Sequence, residues 1–229
     1  MRRIFLCRFI LFSYLTFFYI MNVHSEEKPN EFVYLKDWAQ TIQEDVRYYT
    51  ANNFIGRPIL GYKKPVCLLT KKAARALLSI QNTLNEKNLG LRVFDCYRPQ
   101  IAVEDFFQWS QDPKDQKMKE DYYPRMNKAH LFELNYIARH SSHTRGSTVD
   151  LTLVDLRTNE TLDMGTPFDF MDPLSHPACR TITSKQFKNR MLLQTTMVKS
   201  GFVPIETEWW HFTLRDEPYK NTYFNFPVE

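Results

Sequence analysis

The stretch Ser141-Ser142-His143-Thr144-Arg145-Gly146-Ser147-Thr148-Val149-Asp150-Leu151-Thr152-Leu153 constrains this chain more than any other. It sets an imidazole and a carboxylate seven residues apart, with a glycine between them and an alternating apolar run from Val149 to Leu153. Alternation of period two marks a strand with one buried face, so Asp150 is expected to be held rigidly on a strand. Gly146 lets the backbone turn sharply just before it. Neutral imidazole and ionised carboxylate both bind Zn²⁺, and a catalytic zinc takes three protein ligands and leaves one position to water. A third ligand of suitable type follows sixty-one residues after Asp150, in Glu208-Trp209-Trp210-His211-Phe212. There a histidine stands three residues after a glutamate in an aromatic, strand-like segment. Neither spacing is specific alone, because a histidine in an aromatic strand is more often a hydrogen-bonded core residue than a ligand. The combination puts forward His143, Asp150 and His211 as ligands of one zinc ion and Glu208 as the base beside it. Strict alternation would send Glu208 and His211 to opposite faces of a strand, so this reading requires a bulge or a strand start near Trp209.

The chain around these segments has 229 residues, 43% apolar and 24% charged, which suits one globular domain with a substantial core. Its first 25 residues differ from the rest. Arg2, Arg3 and Arg8 precede a run of thirteen apolar and aromatic-rich residues from Phe9 to Met21, shorter than the ~20 residues of a comfortable membrane span. Residues 1–25 are therefore expected to be a signal peptide cut before Glu26, which makes the protein exported, periplasmic or secreted, with no stable membrane partner after cleavage. An uncleaved anchor is the alternative. Without that segment the charge is 30 − 3 = 27 basic against 26 acidic residues, so nothing favours binding to nucleic acid or to an anionic membrane. Cys67, Cys96 and Cys179 remain, an odd number with no C-x-x-C spacing. That leaves room for one disulfide, whose partners the spacing does not assign.

Thr70 is expected to cap a helix from Lys71 to about Asn88, with Ala74, Leu77, Leu78, Gln81 and Leu84 on its apolar face and Gly90 as its end. Leu91 to Asp95 alternates as a strand and runs into Cys96-Tyr97-Arg98-Pro99, where proline opens a helix to about Trp109. Arg98 thus sits at a strand end, placed either to donate two parallel hydrogen bonds to an oxyanion or to pair with Asp95 or Asp105. Ala129 to Ala138 reads as a further helix. Arg157 to Glu160 reads as the turn of a hairpin, and Leu162 to Asp172 as irregular. Within that stretch Asp169 stands between two phenylalanines, and an acid among aromatics must be hydrated or paired. Ser184 is expected to cap a helix to Lys199 that buries Phe187, Met191, Leu192, Thr195 and Val198, with strands at 202–205 and 209–214 to follow. The sum is an α+β fold, a single compact domain with a central, largely antiparallel sheet and flanking helices.

Taken together, Cys96-Tyr97-Arg98-Pro99, Ser142-His143-x₃-Ser147-x₂-Asp150 and Glu208-x-Trp210-His211 resemble the zinc D-alanyl-D-alanine dipeptidases of VanX type, peptidase family M15. The likeness is nearly continuous through Ser141–Thr152, Met164–Asp172 and Glu208–His211. It implies the fold shared by zinc DD-carboxypeptidases and the hedgehog signalling domain, a catalytic domain over residues 26–229, and one Zn²⁺ held by His143, Asp150 and His211. Carried over residue by residue, it implies Glu208 as general base, Arg98 as the arginine of the transition state, and Asp169, Tyr48 and Ser142 as groups near the amine of a small D,D-dipeptide. Tyr49 is the alternative to Tyr48. Cys96 and Ala51 depart from the family's pattern without touching a ligand. Two other readings stand beside a dipeptidase. A DD-carboxypeptidase acting on longer peptidoglycan peptides needs no acid for an amine, which Asp169 argues against. A catalytically silent, hedgehog-like zinc module needs neither Glu208 nor Arg98.

Overall fold

The computed structural model describes residues 27–229, and the expected signal segment 1–25 lies outside the described residues. In chain order the elements are β1 (Phe32–Tyr34), α1 (Leu35–Trp38), β2 (Gln43–Glu44), β3 (Leu68–Thr70), α2 (Lys71–Asn85), β4 (Leu89–Asp95), α3 (Gln100–Gln111), α4 (Lys119–Tyr122), β5 (Thr148–Asp155), β6 (Glu160–Thr161), α5 (Ser184–Lys199), β7 (Phe202–Pro204) and β8 (His211–Leu214). Five strands form a sheet in the order β2-β4-β5-β8-β7, and β6 folds back on β5 as the expected hairpin. Among the strand pairs of the described residues only the short β2–β4 pair is parallel; β1 and β3 make a separate antiparallel pair. This is the α+β architecture, largely antiparallel, that the sequence pattern requires. Among the described residues no helix is long and apolar enough to cross a membrane.

One face of β4 and β5 carries Leu91, Val93, Leu151 and Leu153, all buried, against the apolar face of α2. Gln81 sits in that face because its Oε1 accepts the Leu91 N–H at 2.9 Å, so a polar side chain is satisfied inside the core. Thr70 caps α2 as expected, accepting from Ala73 N. The helix ends three residues before the anticipated position, and Asn88, at φ 55°, makes the turn instead of Gly90. Gly90 lies within β4. There a Cβ would come within 2.8 Å of Leu156, so glycine serves close packing and not helix termination.

Two helix expectations are corrected. Ala129–Ala138 is not a helix: a 3-10 turn at Lys128–His130 stops when Leu131 O takes both Tyr136 N and Ile137 N, with Asn135 left-handed at φ 59°. In α5 the cap is Thr183, in a capping box with Gln186, and the innermost residues are Arg190, Leu193 and Met197, while Val198 is exposed. The helix is rotated because Arg190 anchors it through backbone carbonyls, a constraint that apolar periodicity does not show. Cys67 and Cys96, at the start of β3 and the end of β4, form a disulfide, and Cys179 is free.

Candidate metal centre and catalytic cavity

The sheet brings the site together by register. His211, the first residue of β8, pairs directly with Asp150 on β5, and directly opposed residues share a face. On the other side of β5 the ladder slips: Val93 pairs with Leu151, but Asp95 pairs with Asp150. This bulge adds a residue to β4 and turns Asp95 from the α2 face to the face of Asp150. His143 arrives from a 3-10 turn, Ser142–Arg145, closed by Gly146 at φ 79°. A Cβ on Gly146 would lie 2.1 Å from the Phe32 ring, so both the backbone angle and the packing require glycine there.

His143 Nδ1 donates to the Cys96 carbonyl at 2.7 Å, and because a carbonyl only accepts, the proton is on Nδ1 and the Nε2 lone pair is free. Nε2 lies 3.2 Å from Asp150 Oδ2 and 3.2 Å from His211 Nδ1. His211 Nδ1 is in turn 3.1 Å from Asp150 Oδ1, while its Nε2 meets Ser142 Oγ at 3.3 Å. Asp150 Oδ1 is buried without a hydrogen-bond partner despite that proximity. Three buried donor atoms within 4.8 Å of one another, converging without protons to share, fit a divalent cation. Burial pushes the Asp150 carboxyl up, but the flanking imidazoles outweigh it and leave the group well below the usual carboxylate range; burial lowers His211. A deprotonated carboxylate beside a neutral imidazole is the ligand state that a metal needs.

Beside the triad is a cavity of about 240 Å³, below the ~300–1,000 Å³ of drug-sized sites and suited to a small substrate. Glu208 lines it from a turn at Trp209–Trp210, with β8 starting only at His211, so the conflict with strand alternation does not arise. Its Oε2 lies 3.6 Å from His211 Nδ1. Burial, and then the negative charges of Asp150 and Asp169, push the Glu208 carboxyl well above its ordinary range.

Arg98 pairs with Asp95, one of its two expected ion-pair partners, and also lines the cavity. Its Nε and Nη2 bind Asp95 Oδ2 at 2.9 and 2.8 Å, its Nη2 is 3.7 Å from Asp150 Oδ2, and the guanidinium lies 5.0 and 5.1 Å from the centres of the Tyr48 and Phe106 rings. Asp105 pairs instead with Arg57. Tyr48 is buried and donates its hydroxyl to Asp169 Oδ2 at 3.0 Å, whereas Tyr49 is exposed. Asp169 is buried in a left-handed backbone at φ 62°, and burial, then the Asp150 charge, raise its carboxyl well above the normal value. Ser142 also lines the cavity, with its Oγ against the outer nitrogen of His211.

Asp95 is a further member that the sequence presents only as an ion-pair partner. Fully buried, it accepts Tyr62 O–H at 2.6 Å and Arg98 Nε, and its Oδ2 is 3.4 Å from His143 Nδ1. It thereby links the guanidinium to the metal-ligand histidine. No local signal marks this, because the bulge that turns Asp95 inward is a property of two strands.

A His-Asp-His centre beside a half-buried glutamate and a small cavity is an arrangement suited to a metallopeptidase. Residues 28–229 match the D-ala-D-ala dipeptidase family, Peptidase_M15, and the chain belongs to that family. Its relatives include the D-alanyl-D-alanine dipeptidases of Enterococcus faecalis, 43% identical over 87% of this chain and 98% of the relative, and of Enterococcus faecium, 41% identical over 86% and 98%. That of Streptomyces coelicolor is 40% identical over the same shares, 86% and 98%. A solved vancomycin-resistance D,D-pentapeptidase shares 14% identity and a TM-score of 0.38 over 65% of this chain and 74% of its own, too slight a likeness to carry an argument.

Proposed function

We propose that this protein is a zinc-dependent dipeptidase that hydrolyses D-alanyl-D-alanine. The observation that carries the reading is Asp169, a buried carboxylate with a tyrosine hydroxyl but no ion pair among the described residues, facing the same small cavity as the metal triad. A buried anion is stable as such only when paired, and the ammonium of a free dipeptide is the missing partner. An N-acylated or longer peptide carries no charge there and adds bulk in a cavity of about 240 Å³. The DD-carboxypeptidase alternative requires an open groove and no such acid.

His143, Asp150 and His211 would hold the zinc ion, which when bound would supply a water of lowered pKa and a Lewis acid for a carbonyl. The chain's own residues do the rest. Asp169 and Tyr48 hold the ammonium and so place the peptide carbonyl beside the metal site. Glu208, which lines the cavity 3.6 Å from His211 Nδ1, takes the proton of the attacking water and delivers it to the leaving amine. Arg98, fixed by Asp95 and packed against two rings, directs its planar donors at the charge that develops on the carbonyl oxygen, where they act most strongly in the transition state. Ser142 steadies the His211 imidazole from its outer nitrogen.

The test is to give the zinc-loaded protein D-Ala-D-Ala and its N-acetyl derivative. Hydrolysis of the first alone supports the reading; comparable kcat/KM on both points to the carboxypeptidase, and zinc binding without hydrolysis to the silent module. We also propose export. Beyond the basic, apolar start of the chain, the Cys67–Cys96 disulfide suits an oxidising compartment. Mass spectrometry of the exported protein distinguishes a mature start near Glu26 from an intact segment 1–25 that anchors it.

A further inference from the structure

Arg190 is buried to 1% exposure and has no carboxylate ion-pair partner among the described residues. Its Nε donates to Met164 O at 2.6 Å, its Nη1 to Leu174 O at 2.8 Å and His176 O at 2.9 Å, and its Nη2 to Thr166 Oγ1 at 3.4 Å. Two of these oxygens belong to the start of the segment 164–176 and two to its end. The guanidinium therefore closes the neck of a compact loop, and Asp169 sits near the tip in its left-handed backbone. A buried cation satisfied by three carbonyls and one hydroxyl, with no counter-charge, is a costly way to fill space, so a helix facing a plain apolar loop would carry methionine or leucine here.

Thr166 joins this neck to the other side of the cavity. Its hydroxyl accepts from Arg190 Nη2 and, at 2.9 Å, from Trp209 Nε1, and meets Ser175 Oγ at 2.9 Å. Ser175 Oγ spends its proton on Phe170 O at 2.6 Å, so the Thr166 proton must go to Ser175. Both lone pairs and the proton of Thr166 are then used, and the relay runs one way, from Trp209 to the carbonyl that follows Asp169. The Trp209 backbone N–H also donates to Ser175 O at 3.0 Å. Trp209 is the residue after Glu208. The neck is thus the common footing of the two carboxylates that face the substrate from different elements.

We propose that Arg190 and Thr166 are positioning residues that fix the spacing of Asp169 from Glu208, and through it the selection of a free dipeptide. The inference rests on the roles given above to those two carboxylates. With the ammonium held at Asp169, the spacing decides whether the first peptide bond or open space lies beside Glu208. A displacement of about 1 Å between such groups costs about 10²-fold in rate. Neither residue touches the metal ligands, which come from the 3-10 turn, β5 and β8.

Thr166→Val keeps the shape and removes every hydrogen bond of the hydroxyl. Its kcat/KM on D-Ala-D-Ala should fall about 10²-fold, and its preference over the N-acetyl substrate should narrow by a similar factor. Zinc should stay at one per chain. Thr166→Ser should restore most of both, because it returns the hydroxyl. Arg190→Lys, which keeps the charge but loses the fork, should shift both quantities in the same direction as Thr166→Val. Hydrogen exchange read by mass spectrometry supplies the second arm: Thr166→Val should speed exchange in 164–176 and in 206–211 together, since one relay holds both. If the wild type hydrolyses no dipeptide, the functional reading fails while the exchange arm still tests the coupling. Unchanged selectivity in Thr166→Val with a lowered melting temperature would make the neck merely structural and overturn the proposal. Faster exchange in 164–176 alone would do the same.

Discussion

The metal ligands and the substrate-facing carboxylates share one cavity but are held by opposite kinds of structure. Asp150 and His211 face each other across the β5–β8 ladder, where backbone hydrogen bonds on both sides set their separation. Asp169 and Glu208 lie outside regular structure, one in an irregular loop and one in the turn before β8, and depend on side chains that bind backbone. A ladder position cannot drift without breaking its neighbours, whereas a loop position moves when one or two polar contacts are lost. The metal site should therefore respond to mutation as nearly all-or-none, and substrate selection should respond in steps. Catalysis needs both properties, because the ion must not move while the cavity must be tunable to one small substrate.

The largest effects test the ladder side. In His143→Ala and His211→Ala, zinc after dialysis should fall well below one per chain and turnover should be lost, with circular dichroism unchanged because the strands remain. Full zinc retention in either variant would break the ligand assignment. Next is Glu208→Ala, expected to keep its zinc and lower kcat by about 10²–10⁴-fold, the range of a general acid–base group. Loss of the metal in that variant would move Glu208 from proton carrier to ligand and erase the division between the two regions.

Selectivity should then grade. Asp169→Ala should lower kcat/KM on the free dipeptide by about 3–5 kcal/mol, the cost of leaving one member of a buried ion pair alone, while gaining relatively on the N-acetyl substrate. Asp169→Asn should fall between, since an amide still accepts from Tyr48 but bears no charge. Equal effects on both substrates would leave Asp169 with a structural role. Arg98→Lys comes below these, at about 10- to 10²-fold in kcat, the worth of one charge-assisted hydrogen bond of ~1.5–3 kcal/mol. Near-normal turnover would reduce Arg98 to the partner of Asp95.

The same division explains what the chain discloses before folding. Asp150 and His211 are legible because strand ligands come with alternation around them, His143 because it precedes Asp150 by seven residues across a glycine turn, and α2 from the Thr70 cap and its apolar face. The Arg157–Glu160 hairpin is legible for the same kind of local reason. Asp95 is hidden, because its facing depends on a bulge set by how β4 meets β5. The rotation of α5 is hidden too, since Arg190 reads as a surface charge until the carbonyls it binds are in place. Asn88 turns the chain where Gly90 looks the stronger signal, because Gly90 is needed to pack against Leu156. In each case a contact between elements overrides a local preference.

The smallest expected effect on chemistry comes from the disulfide, which ties the end of β4 to the start of β3 across a sequence separation of 29 residues. Closing a loop of that size stabilises a folded chain by about 3–4 kcal/mol on the chain-entropy account, so Cys67→Ala with Cys96→Ala should lower the melting temperature by roughly 10 °C. Yet Cys96 also presents the carbonyl that holds the His143 Nδ1 proton, and this acceptor is backbone, which the substitution keeps. If the ladder alone fixes that carbonyl, zinc affinity should change by less than about tenfold, below the 10–100-fold typical of losing a partner behind a ligand. Titration with a competing chelator measures it. An affinity loss beyond about 10²-fold would mean that the β4 end is held by the covalent tie and not by its strand neighbours. The metal ligands would then share the dependence on a few contacts that marks Asp169, and the contrast between the two regions would fail at its firmer side.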